Sequence, residues 1–287
     1  MTKDVIDLYG RYTNGVINRR VFLRKLTILA GSTTAAWALL SGLEKDHAKA
    51  ELVPADDSRL DTKRINYSGA TGDMEAYWAK PKGGAKLAGV IVVHENKGLN
   101  PHIEDVARRV ALEGFIALAP DALTPLGGTP QDASEARNMI IKLDQEQNLD
   151  NFLAAVQYLD THPMCTGKVG VVGFCWGGAM ANQLAVHSSR VDAAVPYYGR
   201  QPAADDAQKI RTHLLLHYAG LDERINKGIS AYESALKRAG VNYQIYVYEG
   251  AKHAFNNDTN PDRYNKPAAE LAWQRTIAFF KEKLRAP

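Results

Sequence analysis

Short apolar runs alternate along most of this chain with longer stretches in which apolar residues recur every three or four positions. Beyond about residue 60 the short runs are Arg64–Ser68, Met74–Lys80, Gly89–His94, Phe115–Ala119, Lys168–Phe174, Ala193–Tyr198, His213–Tyr218 and Tyr243–Tyr248. Each has the length and the β-branched or aromatic content of a strand. The runs that end before positions 95, 120 and 175 are apolar at nearly every residue, as strands covered on both faces are. Between them, Pro101–Glu113 opens on proline and is followed by Gly114, and Leu149, Phe152, Leu153, Val156 and Leu159 fall at helical spacing. Ala179–Val186, Ile229–Ala239 and Ala268–Leu284 read as further helices. Strands that alternate with helices predict crossover units on a mostly parallel, eight-stranded α/β sheet with helices on both faces. No repeat, low-complexity tract or linker divides residues 51–287, so they are expected to form one domain. The weakly patterned stretch Asp121–Gln131, with Pro125, Gly127, Gly128 and Pro130, follows a strand end. It reads equally as a pocket rim or lid and as a solvated connection.

The first 50 residues follow another pattern. Asn18-Arg19-Arg20-Val21-Phe22-Leu23-Arg24-Lys25 precedes a mostly apolar run from Leu26 to Leu43, and Ala48-Lys49-Ala50 has small-x-small spacing. That order is similar to a twin-arginine export signal and implies a periplasmic or secreted protein, with no stable membrane anchor after processing. An uncleaved leader would instead leave the protein cytoplasmic or membrane-tethered. Gly31, Ser32, Thr33, Thr34 and Ser41 dilute the run, which disfavours a spanning anchor. Removal of eight Lys/Arg and four Asp/Glu with the leader turns the formal charge of +3 into about −1, from 27 basic and 28 acidic residues left.

The composition, 45% hydrophobic and 23% charged, is that of a folded globular domain. No Lys/Arg patch interleaved with aromatics marks a nucleic-acid partner. The two cysteines, Cys165 and Cys175, flank the Lys168–Phe174 strand. At about 3.3 Å per residue their Cα atoms stand roughly 20 Å apart, beyond the roughly 7 Å a disulfide tolerates. Both are expected as free thiols, and no metal-ligand spacing or cofactor motif is present.

The strongest chemical signal is Gly173-Phe174-Cys175-Trp176-Gly177-Gly178, set between an apolar strand and a helical pattern. Such a sharp strand-to-helix turn strains its central residue, and glycines two positions away relieve the collision. Its helix N-terminus is expected to lower the thiol's pKa. On its own the pattern is equally that of a buried structural cysteine. An acid and then a histidine should follow the nucleophile, each after a later strand. Asp222 follows His213–Tyr218, with Glu223 as the alternative, and His253 follows Tyr243–Tyr248. Of the eight histidines, only His253 has both the order and the strand context; His47, His94, His102 and His162 precede the elbow, and His187, His213 and His217 precede Asp222. The loop after Gly89–His94 begins with Glu95, and the N–H of Asn96 there, with that of Trp176, is the candidate oxyanion hole.

Glu95, the Cys175 elbow, Asp222 and His253 together resemble the dienelactone hydrolase (carboxymethylenebutenolidase) family. Lys168-Val169-Gly170-Val171-Val172-Gly173-Phe174-Cys175-Trp176-Gly177-Gly178, Tyr197-Tyr198-Gly199 and His253-Ala254-Phe255 extend the likeness over most of residues 60–285. The resemblance implies an α/β-hydrolase fold, and a Glu95 that contacts the resting thiol and helps it ionise once substrate binds. It also implies two arginines on a substrate carboxylate, but one of those positions is Asn257 here. Arg137 is the candidate for the second, with Arg200 and Arg263 as others. Tyr198, Phe255, Trp176 and Trp78 are candidate walls of an apolar pocket, although each is as readily a core residue.

The expected reaction is hydrolysis of a small-molecule ester or lactone through a Cys175 thioester, without a cofactor. A thiolate leaves more readily than an alkoxide, so enol lactones, aryl esters and thioesters suit it better than alkyl esters or amides. A broad carboxylesterase or thioesterase is the rival within catalysis; a cysteine peptidase and a non-catalytic binding protein are more distant ones.

Overall fold

The computed structural model describes residues 3–13, 17–48 and 52–285. Strands β1 (Leu60–Gly69), β2 (Gly72–Pro81), β3 (Leu87–Val93), β4 (Ile116–Pro120), β5 (Cys165–Phe174), β6 (Ala193–Tyr197), β7 (His213–Ala219) and β8 (Tyr243–Tyr248) form one sheet in the order β1-β2-β4-β3-β5-β6-β7-β8. The β1–β2 and β2–β4 pairs are antiparallel and all others parallel. All eight strands read from the sequence are present. The edge strand β1 runs longer than its apolar pattern, because pairing with β2 carries its polar residues along the ladder.

The continuous apolar runs have a direct cause. In β3, Ile91 and Val93 pack into one core while Val90 and Val92 pack into the other. The first core holds α6 (Gln145–Asp160), α7 (Trp176–His187) and α9 (Ile229–Arg238). The second holds α4 (Pro101–Leu112) and α10 (Lys266–Lys283). Helix–sheet contact is close at Gly89, where an added Cβ would lie 2.4 Å from Leu159 Cγ of α6.

A helix absent from the sequence reading, α5 (Ala133–Lys142), follows Asp121–Gln131. Only Ala136 and Ile140 of it are buried, which is too sparse a stripe to show periodicity. Its N-cap is Asp132, whose side chain accepts from the N–H groups of Ser134 and Glu135. The short α8 (Glu223–Asn226) likewise escaped the pattern.

Near the N-terminus, α1 (Lys3–Thr13), α2 (Arg19–Ala30) and α3 (Thr33–Ala48) gather Val5, Leu8, Phe22, Leu26, Ala36 and Leu40 into a separate small cluster. The apolar run from Leu26 is broken at Gly31, in the left-handed region at φ 76°. No helix among the described residues is long and apolar enough to cross a membrane. The Arg19 N–H donates to Asp132 Oδ2 at 3.2 Å. Of the small-x-small site, Lys49 and Ala50 lie outside the described residues.

Leu159→Ala is expected to lower the unfolding free energy by about 2–5 kcal/mol, because it opens a cavity over Gly89 that the rigid sheet cannot close. Urea denaturation measures this, and a loss below about 1 kcal/mol would contradict the packing described.

Candidate active site

Strand β5 delivers its chain into α7 through Cys175, whose φ of 56° and ψ of −110° lie outside the ordinary basins. An added Cβ at position 173 would lie 1.9 Å from the Gly177 carbonyl oxygen, and one at 177 would lie 2.4 Å from the Val93 and His94 carbonyl oxygens. Only glycine lets α7 start this close to β3 and β5. The other non-glycine residues with positive φ among the described residues are Tyr198 at 40° and Ala254 at 66°. Tyr198 follows β6 and packs against His253, and Ala254 directly follows His253, so all three strained residues surround one point.

At that point the side chains meet in order. His253 Nε2 lies 3.0 Å from Cys175 Sγ, and His253 Nδ1 is hydrogen-bonded to Asp222 Oδ2. Asp222 is buried and also caps α8, while Glu223 is exposed, so the acid is Asp222 and not its neighbour. Both cysteines are free, as their separation along β5 requires.

Glu95, at the end of β3, is 6% exposed and accepts from Asn257 Nδ2 at 2.7 Å through Oε2. Its other oxygen, Oε1, is buried without a hydrogen-bond partner. Burial first, and then the negative charge of Glu95, push the Cys175 thiol up to about 12, against the opposing pull of the Trp176 N–H. The lowered thiol pKa expected from the helix N-terminus is therefore corrected: desolvation and a neighbouring carboxylate outweigh the helix end.

Residues 74–284 match the model of the Dienelactone hydrolase family. This chain belongs to that family. A protein of Escherichia coli O157:H7 named "Putative carboxymethylenebutenolidase" is 34% identical over 227 residues, covering 73% of this chain and 83% of its own. A protein of the same name from Saccharolobus solfataricus is 32% identical over 257 residues, covering 76% and 98%. Among solved structures, a dienelactone hydrolase-like promiscuous phosphotriesterase from metagenomic libraries superposes with a TM-score of 0.71 at 26% identity, covering 79% of this chain and 100% of its own. The sheet order and these likenesses make the chain an α/β-hydrolase, a member of a family of hydrolases.

Within this dienelactone hydrolase family member, Asn257 does more than mark a missing arginine, since its amide holds Glu95. Lys97 and Arg137 lie within electrostatic reach of both Glu95 and Cys175, and Arg224 and Arg263 within reach of Cys175. Burial lowers the Lys97 amine to about 8, a shift that Arg137 and Arg263 reinforce and that Glu95 and Cys175 oppose. Arg137, on α5, is lowered by burial and by Arg263, with Glu95 and Cys175 again opposing. Lys97 was absent from the sequence reading because nothing in its local pattern sets it apart from a surface lysine. Arg200 is exposed in a surface groove beside Arg224 and Lys227.

Two expected pocket walls are corrected. Trp78, on β2, is buried against His162 with ring centroids 4.7 Å apart, in a hollow shared with Tyr158 and Met164. Phe255 is wholly buried among Tyr197, Tyr198 and Tyr248, because the backbone turn at Ala254 points it into the core. Tyr198 is also buried, but its ring lies 5.1 Å from that of His253 and buttresses it. Trp176 is half-buried, stacked on His94 with centroids 5.1 Å apart. Asn96 is half-buried on the loop after Glu95.

Glu95→Gln removes a charge that raises the thiol pKa, so more thiolate is present at neutral pH. Iodoacetamide is expected to alkylate Cys175 of the resting variant several-fold faster than wild type at pH 7.5, followed by intact mass. An unchanged or slower rate would contradict the electrostatic coupling.

Proposed function

We propose that this protein hydrolyses activated esters or enol lactones through a Cys175 thioester. The observation that carries the reading is the 3.0 Å approach of His253 Nε2 to Cys175 Sγ on the elbow, with buried Asp222 behind the imidazole. Cys175 Sγ bonds to the substrate carbonyl carbon as its proton passes to His253 Nε2, and the N–H groups of Asn96 and Trp176 receive the oxyanion. Collapse breaks the bond to the leaving oxygen, which takes the proton from His253. Water then attacks the thioester with His253 as base, and the acid product leaves as the thiol re-forms. Asp222 orients the imidazole and stabilises its charged form.

A neutral resting thiol suits a substrate that brings its own negative charge. A carboxylate bound among Lys97, Arg137 and Arg263 would pair with these cations beside Glu95 and hold the scissile carbonyl at Cys175, whose proton passes to His253. This supports carboxylate-bearing enol lactones, with Arg137 and Lys97 in place of an arginine at Asn257. A broad carboxylesterase or thioesterase would share the same chemistry without using the cations.

The test compares a carboxylate-bearing enol lactone with 4-nitrophenyl acetate. Cys175→Ala is expected to lose at least about 10³-fold in turnover and the acyl adduct seen by intact mass; full activity in that variant would sink the mechanism. Arg137→Ala is expected to raise KM about tenfold or more for the lactone and little for the neutral ester. Equal effects on both substrates would favour the broad esterase.

We further propose that residues 1–50 are an export leader of the twin-arginine type, and the protein periplasmic or secreted. The arginine pair at the start of α2, followed by the interrupted apolar run, supports this. Mass spectrometry of the periplasmic fraction should find the chain shortened by about 50 residues. Full-length chain found only in the cytosol would remove the proposal.

A further inference from the structure

We propose that His94, as the neutral ring protonated at Nδ1, is the positioning residue of the oxyanion site, aiming the Asn96 N–H by pinning the Glu95 carbonyl oxygen. The inference rests on the thioester reading above, in which the Asn96 and Trp176 N–H groups receive the oxyanion.

His94 is fully buried, and both ring nitrogens are engaged. The Ala122 N–H donates to Nε2 at 3.2 Å, and Nδ1 lies 2.6 Å from the Glu95 carbonyl oxygen. A backbone N–H only donates and a carbonyl oxygen only accepts, so Nε2 carries the lone pair and Nδ1 the proton. Burial also pushes the His94 pKa down and so opposes the doubly protonated ring. In a trans peptide the C=O and the following N–H point in opposite directions. Holding the Glu95 oxygen on the imidazole therefore turns the Asn96 N–H to the other side. That N–H makes no hydrogen bond to another described residue.

The same ring reaches the second donor. It stacks on Trp176 at 8° between planes, directly after Cys175. The far end of the clamp is rigid as well. Asp121 accepts from the N–H groups of Leu123 at 2.9 Å and Thr129 at 2.8 Å, and from the Thr129 hydroxyl at 2.7 Å. Thr129 Oγ1 in turn accepts from the Leu99 N–H at 2.9 Å. An added Cβ on Gly98 would lie 2.1 Å from Thr129 Oγ1, so the two loops interlock at that point. The stretch 121–129 is thus a brace that holds the His94 ring at Nε2 and the oxyanion loop at Leu99, rather than a free lid.

The experiment uses the full chain and three variants: H94F keeps an aromatic ring without either hydrogen bond, H94N keeps a donor near the Nδ1 position, and H94L is nearly isosteric with H94N. Turnover of 4-nitrophenyl acetate is set beside alkylation of Cys175 by iodoacetamide, a displacement that develops no oxyanion at the peptide N–H groups. H94F is expected to lose about 100-fold in kcat with KM and alkylation rate within about threefold of wild type. H94N is expected to recover at least about tenfold of that loss. If H94F does not fold, H94L takes its place against H94N. The inference is overturned if kcat of H94F or H94L stays within about threefold of wild type, if alkylation falls in step with kcat, or if H94N does no better than its partner. Turnover that survives in Cys175→Ala is a separate failure, of the thiol reading itself.

Discussion

At the head of α7, backbone from three strands converges more closely than side chains allow. An added Cβ at position 178 would lie 2.5 Å from the Tyr197 carbonyl oxygen, as those at 173 and 177 would meet Gly177, Val93 and His94. This approach places Cys175 at a helix N-terminus in a strained conformation and brings it beside the ends of β3 and β6. Everything else in the site is measured from there. Glu95 and His94 leave β3, Tyr198 leaves β6, and Asp222 and His253 come from the loops after β7 and β8. Backbone strain at Cys175, Tyr198 and Ala254 costs on the order of 1–3 kcal/mol each, and two packed cores on either side of the sheet hold it.

The electrostatic contest at the thiol is decided by magnitude. A helix N-terminus favours an anion by about 0.3–1 kcal/mol at exposed sites and about 2 kcal/mol in favourable ones. Raising the thiol from 9.0 to about 12 represents roughly 4 kcal/mol in the other direction. Burial and Glu95 therefore win, and the resting group is a thiol. Such a site resists oxidation and alkylation until its charge balance changes, which suits a cysteine hydrolase proposed for an oxidising compartment.

Asn257 shows how a neutral partner can hold a carboxylate and leave its charge in place. A neutral amide at this position satisfies one oxygen of Glu95 without neutralising its charge, so the carboxylate keeps its full effect on Cys175. Positive charge enters from the loop after β3 at Lys97, from α5 at Arg137 and from Arg263.

By itself, the order of residues determined the eight strands, the elbow, and the sequence Cys175, Asp222, His253, because each rests on local periodicity or on glycines forced by a single turn. The free cysteines also followed from one strand's length. The helix α5 was not legible, since two buried residues make no stripe, and neither was Lys97, whose neighbours in sequence say nothing of Arg137 or Arg263 in space. Trp78 and Phe255 lie in the core and not in a pocket wall, which the sequence does not reveal because an aromatic residue carries no local mark of which side of a sheet it faces. Only the tertiary structure decided the thiol's protonation and the bonds of Glu95, Asn257 and His94. Those depend on desolvation and on contacts between chain segments up to 162 residues apart, which no local pattern encodes.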